Sequence, residues 1–406
     1  MNTQTKRWIT KALPAQETAK ALATALNVNP YVAVLLAQRG MQTFEEAKSF
    51  FRPSLTELHD PFLMRDMDKA VVRLIQAIEK NERILIYGDY DVDGTTSVSV
   101  FYGFLKKYYT NIEYYIPDRY KEGYGVSKAG MEHARDTHAK LIVSLDCGIR
   151  SVEMVQLAQS FGIDFIICDH HNPGEELPPA VAILDPKQKN CPYPYKELSG
   201  CGVGFKLLQA LCMRAGYSSD VLFEEIDLLA ISICSDIVPI TGENRVFTYY
   251  GIQKLNQAPR PGIQAIIDVS GLKKAIDVNS IVFTIGPRIN AAGRIDHAFA
   301  AVDLLLASNK LDAANFAGTI NDHNLVRREF DETITGEALT MIQNSVHVDT
   351  ACSTVLYKND WHKGVIGIVA SRCIEHYHRP TIILTKSNGK VAGSARSVPD
   401  YDLYEA

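Results

Sequence analysis

Along the middle of the chain, short unbroken apolar runs alternate with segments whose apolar residues recur at helical spacing. "RILIYG" (83–88), "IEYYI" (112–116), "KLIVSLD" (140–146) and "DFIIC" (164–168) read as buried strands. Between them, Gly94 to Tyr109, Lys128 to His138 and "VEMVQLAQSF" (152–161) read as helices. Strands apolar on both faces and separated by helices predict an α/β unit, a mostly parallel sheet with helices on both faces. "GVGFKLLQALCMRAG" (202–216) and "VLFEEIDLLAISICSDI" (221–237) predict two further helices that complete it. Upstream, "FEEAKSFF" (44–51) and "MDKAVVRLIQAIEK" (67–80) make residues 1–80 a helical region. Downstream, "NQAPRPG" (256–262) has the composition of a linker, and a long helical pattern runs from Leu311 to Ser345. It leads to a strand "STVLYK", a helix "GVIGIVASRCIEHY" and two strands "TIILTK" and "KVAGSAR", a second, smaller α/β unit. The expected divisions are therefore 1–80, 81–255, 256–346 and 347–406. No internal repeat or low-complexity tract interrupts them.

Composition narrows the class. A chain of 406 residues with 46% hydrophobic and 22% charged residues has the make-up of a soluble protein with more than one sizeable core. No apolar run approaches the roughly 20 residues of a membrane helix, and the first residues lack the apolar stretch of a secretory signal. The eight cysteines form no C-x-x-C pair, and Cys147, Cys168 and Cys234 sit inside apolar runs. They read as reduced, buried thiols of a cytoplasmic protein, not as a zinc site or disulfide framework. A net charge of −5 excludes a uniformly basic coat but leaves room for a local basic groove.

The chemistry concentrates where strands end. Asp89, Asp91 and Asp93 follow "ILIYG", Asp146 follows "LIVSL", "DHH" (Asp169, His170, His171) follows "DFIIC", and Asp236 closes an apolar helical run. Ligands of such sheets collect outside the carboxyl ends of the strands. Three carboxylates within five residues repel one another, and burying them unpaired is costly. Taken singly, each aspartate is equally well a helix cap or a loop residue. Together with a histidine pair they form the donor set expected for hard or borderline divalent cations.

These motifs resemble the DHH phosphoesterase superfamily, and most closely its RecJ family of bacterial single-strand-specific exonucleases. "GDYDVDG" (88–94), "SLDCG" (144–148), "DHH" (169–171) and "CSDIVP" (234–239) look like the four superfamily motifs in order. "RYKEGYGVS" (119–127), "GPRINAAGR" (286–294), "WHKGVIGIVASR" (361–372) and "GSARS" (393–397) look specific to the RecJ family. The resemblance implies a DHH domain followed by a DHHA1-like domain, and a two-metal site using Mn²⁺ or Mg²⁺. Its ligands would be Asp91, Asp93, Asp146, His170 and Asp236, with Asp146 bridging and Asp89 a ligand or a partner of one. His171 would face the substrate phosphate, or else orient His170. Arg119, Tyr124, Ser127, Arg288, Asn290, Arg294, Ser394 and Arg396 would handle the substrate. A polar loop, a helix core and a plain turn are the ordinary alternatives for these last segments.

The implied activity is 5′→3′ hydrolysis of single-stranded DNA to 5′-mononucleotides in repair and recombination. A helicase and a single-strand-binding protein are the partners such a role implies. Two other readings stand beside it: a phosphodiesterase for short oligoribonucleotides or dinucleotides, and a nucleic-acid-binding scaffold without activity. Relatives of this kind continue past "GSARSVPDYDLYEA", so the smaller unit is expected to be cut short, with a helix starting at "YDLYEA" and an OB-fold lacking.

Overall fold

The structure is a computed structural model that describes residues 8–403 and 405. Three short helices open it, α1 (Gln16–Leu26), α2 (Pro30–Ala37) and α3 (Phe44–Phe51), packed around Leu22, Ala33, Leu36, Met41 and Ala47. Thr43 and Glu46 close a capping box at the start of α3. Helix α4 (Met67–Glu79) then lays Met67, Ala70, Val71, Leu74 and Ala77 onto the main core.

Five parallel strands form the main sheet: β1 (Ile84–Gly88), β2 (Ile112–Tyr115), β3 (Leu141–Leu145), β4 (Asp164–Cys168) and β5 (Ala182–Leu184). Their spatial order is β2-β1-β3-β4-β5. Ile84 is in register with Ile112 on one side and Leu141 on the other, and Leu141 with Asp164. Both faces are covered, as the unbroken apolar runs predict. On one face, Ile84, Ile86, Val143 and Ile166 meet α5 (Val92–Lys106) and, further on, α8 (Gly200–Ala215). On the other, Leu85, Ile142, Phe165 and Ile167 meet α6 (Lys128–Asp136) and α7 (Val152–Ser160).

The stretch 221–237 departs from expectation, for it is two helices, α9 (Ser219–Phe223) and α10 (Ile226–Ser235). The chain breaks at Glu224 and Glu225, whose carboxylates are drawn out to Lys107 and, for Glu225, Arg260. Helix α11 (Gly242–Gln257) was not legible in the pattern, and "NQAPRPG" holds only a brief break before α12 (Pro261–Ser270), with Pro261 in its first turn. A short turn α13 (Val278–Ser280) runs into a π-helical turn at Ile281–Ile285 and then α14 (Gly286–Ile295), so the "GPRINAAGR" segment is a helix. After α15 (Phe299–Leu306) comes the long α16 (Lys310–Gln343), matching the expected bridge.

A second sheet, in order β6-β7-β8, is built from β6 (Thr354–Tyr357), β7 (Thr381–Ser387) and β8 (Lys390–Arg396). Helix α17 (Ile366–Tyr377) covers it and buries Ile366, Val369, Ala370 and Cys373 against Ile334, Ala338 and Ile342 of α16. The helix expected to start at "YDLYEA" does not form among the described residues. Tyr401 and Asp402 are irregular and Leu403 lies in a turn, while Tyr404 and Ala406 are outside them. Among the described residues no single helix is long and apolar enough to cross a membrane.

Candidate metal centre

From β1 the chain runs outward to β2, then returns to build β3, β4 and β5 on the other side. The carboxyl ends of β1 and β3 flank that reversal, where open parallel sheets bind their ligands. Asp89 leaves β1, Asp146 leaves β3 and Asp169 and His170 leave β4, all of them buried. Asp91 caps α5, accepting the Gly94 N–H at 3.0 Å, and Asp93 lies in its first turn. Asp236 arrives from the end of α10.

These side chains converge. Nε2 of His170 lies 3.1 Å from Asp146 Oδ1, 3.5 Å from Asp236 Oδ2 and 3.7 Å from Asp93 Oδ2. Asp93, His170 and Asp236 form one group whose donor atoms lie within 4.8 Å of one another, and Asp89, Asp91 and Asp146 form a second. Asp146 also groups with His170 and His171, so its carboxylate lies between the two sets.

Local structure holds this arrangement. The Gly200 and Cys201 N–H groups, at the start of α8, donate to Asp93 at 2.7 and 2.9 Å, and the Ser232 hydroxyl donates at 2.6 Å. The helix terminus thus carries part of that negative charge. Asp146 has φ +61°, a left-handed conformation that costs a non-glycine residue energy and aims its carboxylate off the strand. A Cβ on Gly200 would sit 2.5 Å from Asp146 Cβ and 2.6 Å from its Oδ1. Only glycine lets α8 come that near.

The electrostatics call for a cation. Burial, then Asp91, pushes Asp89 well above the carboxylate range, and burial, then Asp93, does the same to Asp146. Burial raises Asp91 as well, and takes Asp236 up to about 8 with Asp93 adding to it. Burial also lowers His170, favouring the neutral imidazole that ligates metals. Both oxygens of Asp89, Oδ1 of Asp146 and both ring nitrogens of His170 are buried without a hydrogen-bond partner. Uncommitted oxygen donors with a single imidazole fit Mn²⁺ or Mg²⁺.

His171 plays a different part. Its Nδ1 lies 2.7 Å from Asp169 Oδ1, and the Tyr124 hydroxyl lies 3.2 Å from its Nε2. Burial opposes its charge, but Asp169 outweighs this and takes it up to about 9, a cation at neutral pH. Its ring is tilted against that of His170 with centroids 4.5 Å apart and no hydrogen bond between them, so it does not orient His170 in that way.

The remaining expected residues divide. Arg119 lies 4.9 Å over the Tyr90 ring, and Tyr124, largely exposed, packs edge-on to Tyr90 beside the cluster. Ser394 and Arg396, on β8 of the second unit, are joined by a 3.2 Å hydrogen bond and border Gly367 in the first turn of α17. The other four are committed to the scaffold. Ser127 is buried, accepts the Gly130 N–H to cap α6 and is hydrogen-bonded to Tyr87. Asn290 accepts the Val92 N–H at 3.0 Å. Arg294 donates to Gly364 O at 2.9 Å, and Arg288 to Asn321 and to Thr284 O. Sequence reasoning counted Asp169 with the strand-end donors and gave it no separate role, but it organises "DHH" by accepting the N–H groups of Ile149, His170 and His171. Its place inside the triplet was the available signal. Ser232 and Gly200 had none, since their partners are remote in sequence.

The model of the DHH family, N-terminal domain, matches residues 83–233, and that of the DHHA1 domain matches residues 344–406. The single-stranded-DNA-specific exonuclease RecJ of Bacillus subtilis (strain 168) is 39% identical over 397 residues, 97% of this chain and 49% of its own length. The protein of the same name from Escherichia coli (strain K12) is 34% identical over 93% of this chain and 67% of its own. This chain therefore spans about half to two thirds of the length of these relatives. The crystal structure of RecJ in complex with Mn²⁺ from Thermus thermophilus superposes with a TM-score of 0.84 at 27% identity, covering 98% of this chain and 56% of that one. Likeness in sequence and in fold along nearly the whole chain has one reading: this chain belongs to the RecJ family of DHH proteins.

Proposed function

We propose that the chain hydrolyses single-stranded DNA from its 5′ end to 5′-mononucleotides, using two divalent ions, Mn²⁺ or Mg²⁺. The observation that carries this is Asp146, whose buried, partly uncommitted carboxylate lies between two groups of metal-type donors. Asp91, Asp93, Asp146, His170 and Asp236 would hold the ions, with Asp89 beside them. Held by these residues, two such ions would supply the activation of water at neutral pH and the stabilisation of charge on the phosphodiester oxygens. The names of the relatives support the substrate, and the Mn²⁺ in the Thermus structure supports the metal.

The chain's own residues supply the rest. Asp93 is fixed by the α8 terminus, so its donor atoms need no reorganisation. His171, charged through Asp169, offers its Nε2 side to a phosphate oxygen with the Tyr124 hydroxyl alongside. Arg119 and Arg396, from the two facing units, would grip the terminal phosphate, and Tyr124 offers a ring for a base to stack on. The same reading carries a setting: cytoplasmic DNA repair and recombination, in the company of a helicase and a single-strand-binding protein.

Digestion of a single strand labelled at either end, with Mn²⁺ or Mg²⁺, tests this. Mononucleotides appearing first from the 5′ label are expected. Products only from dinucleotides or oligoribonucleotides, or no products at all, would reject it.

A further inference from the structure

One carboxylate of the loop beside the acidic edge belongs to none of the metal-type donor groups found among the described residues. Glu122 is half-buried in the segment that joins β2 to α6. Its Oε2 accepts the Tyr115 hydroxyl at 2.9 Å and the Ser127 hydroxyl at 2.5 Å, and its Oε1 accepts the Asp118 N–H at 2.8 Å. The three donors come from the end of β2, the N-cap of α6 and the start of the loop itself. A single side chain therefore ties both ends of the loop to its middle.

The loop needs such a hold. Gly123 and Gly125 have φ +92° and +79°, and a Cβ on either would meet nothing within 4 Å, so they serve the backbone and not the packing. Glycine permits these conformations and makes them entropically costly to fix. Asp118 folds the early part, its Oδ1 accepting the N–H groups of Tyr120 and Lys121 at 2.8 and 3.1 Å. The N–H of Asp118 is in turn what Glu122 holds. At the far end Ser127 passes the restraint on, since its hydroxyl oxygen also accepts the Gly130 N–H that starts α6.

What the loop presents makes its shape matter. Arg119 lies over the ring of Tyr90, the residue between Asp89 and Asp91. Tyr120 donates to Arg294 O and sets its ring edge-on to His362 of the second unit, centroids 5.8 Å apart. The Tyr124 hydroxyl lies 3.2 Å from His171 Nε2. Within six residues the loop meets the surroundings of the metal centre and the facing unit, while Glu122 bonds on the opposite side, to Tyr115 and Ser127.

We infer that Glu122 is a positioning residue for the hydrolysis, fixing the loop so that Arg119 and Tyr124 stand in place before a strand arrives. This rests on the nuclease reading above and adds to it a residue that acts only through others. A carboxylate that merely stabilised the fold would lower the melting temperature, and its loss would count equally whatever stood at positions 119 and 124.

The test uses the whole chain with Glu122→Ala and Glu122→Gln, each made alone and in an Arg119→Ala, Tyr124→Ala background. Glutamine keeps the length and one acceptor oxygen, but its NH₂ group would face a donor. Affinity for a fluorescent single strand of about twelve nucleotides is measured in EDTA, and kcat and KM on that strand with Mn²⁺. Glu122→Ala should weaken binding and raise KM about tenfold or more, with the Mn²⁺ dependence of the rate unchanged and Glu122→Gln intermediate. In the double-Ala background the same change should cost no more than about twofold, because the side chains it places are gone. A loss as large there as in the parent, or parent-like affinity and KM with only a lower melting temperature, would overturn the assignment. Should Glu122→Ala fail to fold, Glu122→Gln is judged by the same comparison. If the unaltered chain hydrolyses no strand, the nuclease reading fails, and the coupling seen in the EDTA binding measurements still decides the role of Glu122.

Discussion

Asp146 brings together the demands made on single residues here: a left-handed backbone, full burial and a carboxylate held among like charges. Replacing it by Ala removes the group shared by both donor sets while relieving repulsion. Hydrolysis should fall below detection, and the melting temperature should hold or rise. Undiminished turnover in Asp146→Ala would remove the two-metal assignment. Gly200→Ala attacks the same point from the opposite side, because its methyl would lie 2.5 to 2.7 Å from three Asp146 atoms. Overpacking of this kind costs about 1–3 kcal/mol, readable by denaturant titration, and turnover should drop well beyond the stability loss. Sequence alone exposed Asp146, because a carboxylate at the end of an apolar strand stands out. Gly200 stayed hidden, since nothing local reveals that a helix terminus will press on a strand end so far back in the chain.

Among the helices, Arg260 shows how a local pattern can be right about the chain and silent about the residue. The prolines around it do mark a break, yet its guanidinium is a buried lock, donating to Asp227 at 2.8 and 2.6 Å and to Glu225 at 2.9 Å. Burial alone would raise Asp227, but Arg260 outweighs it and holds the carboxyl below its ordinary range. A depressed carboxyl contributes stability that is complete above its unfolded value, near 3.9, and is lost as pH falls through the lower folded value. Arg260→Met leaves Asp227 buried without its main partner and should cost about 3–5 kcal/mol at pH 7. In the variant the carboxyl is raised instead, so the deficit should shrink as the pH is lowered toward about 5. Denaturation midpoints at the two pH values check this, and a deficit independent of pH would refute it. The same blindness hid α14, whose glycines and Pro287 argue against a helix on propensity. Tertiary packing overrides that, with Gly293 set against Tyr90 O and Gly286 against Ser235.

For the molecule as a whole, the succession β1, β3, β4 with helices between them was readable, because these strands are buried on both faces and read as continuous apolar runs. The three-residue β5 and the helices α11 and α12 left no such pattern. How the two units face each other was not readable, since it depends on the packing of α17 against α16 and on polar contacts between residues far apart in sequence. Arg294 donates to Gly364 O, the Tyr120 hydroxyl donates to Arg294 O, and Asn388 donates to Tyr120 O. A Cβ on Gly364 would lie 2.4 Å from Arg294 O and 2.6 Å from the Tyr120 hydroxyl oxygen. Gly364→Ala should therefore part the two units, lowering kcat/KM on single strands roughly ten- to a hundredfold while the melting temperature changes little. Equal kcat/KM for variant and parent would show that this contact does not set the cleft.

Helix α16 has 34 residues and so runs about 51 Å. It behaves like a shaft with a fixed rotational phase. Its early turns pack on α12 and α14, and beyond Asp331 the same shaft presents Ile334, Ala338 and Ile342 to the second unit. Removing one residue between Asn324 and Asp331 would turn everything beyond it by about 100° while shortening it by only about 1.5 Å. Ser394 and Arg396 would swing away from the acidic edge although every metal-type donor stayed in place. Angular register along this one helix decides whether two intact halves make a working site.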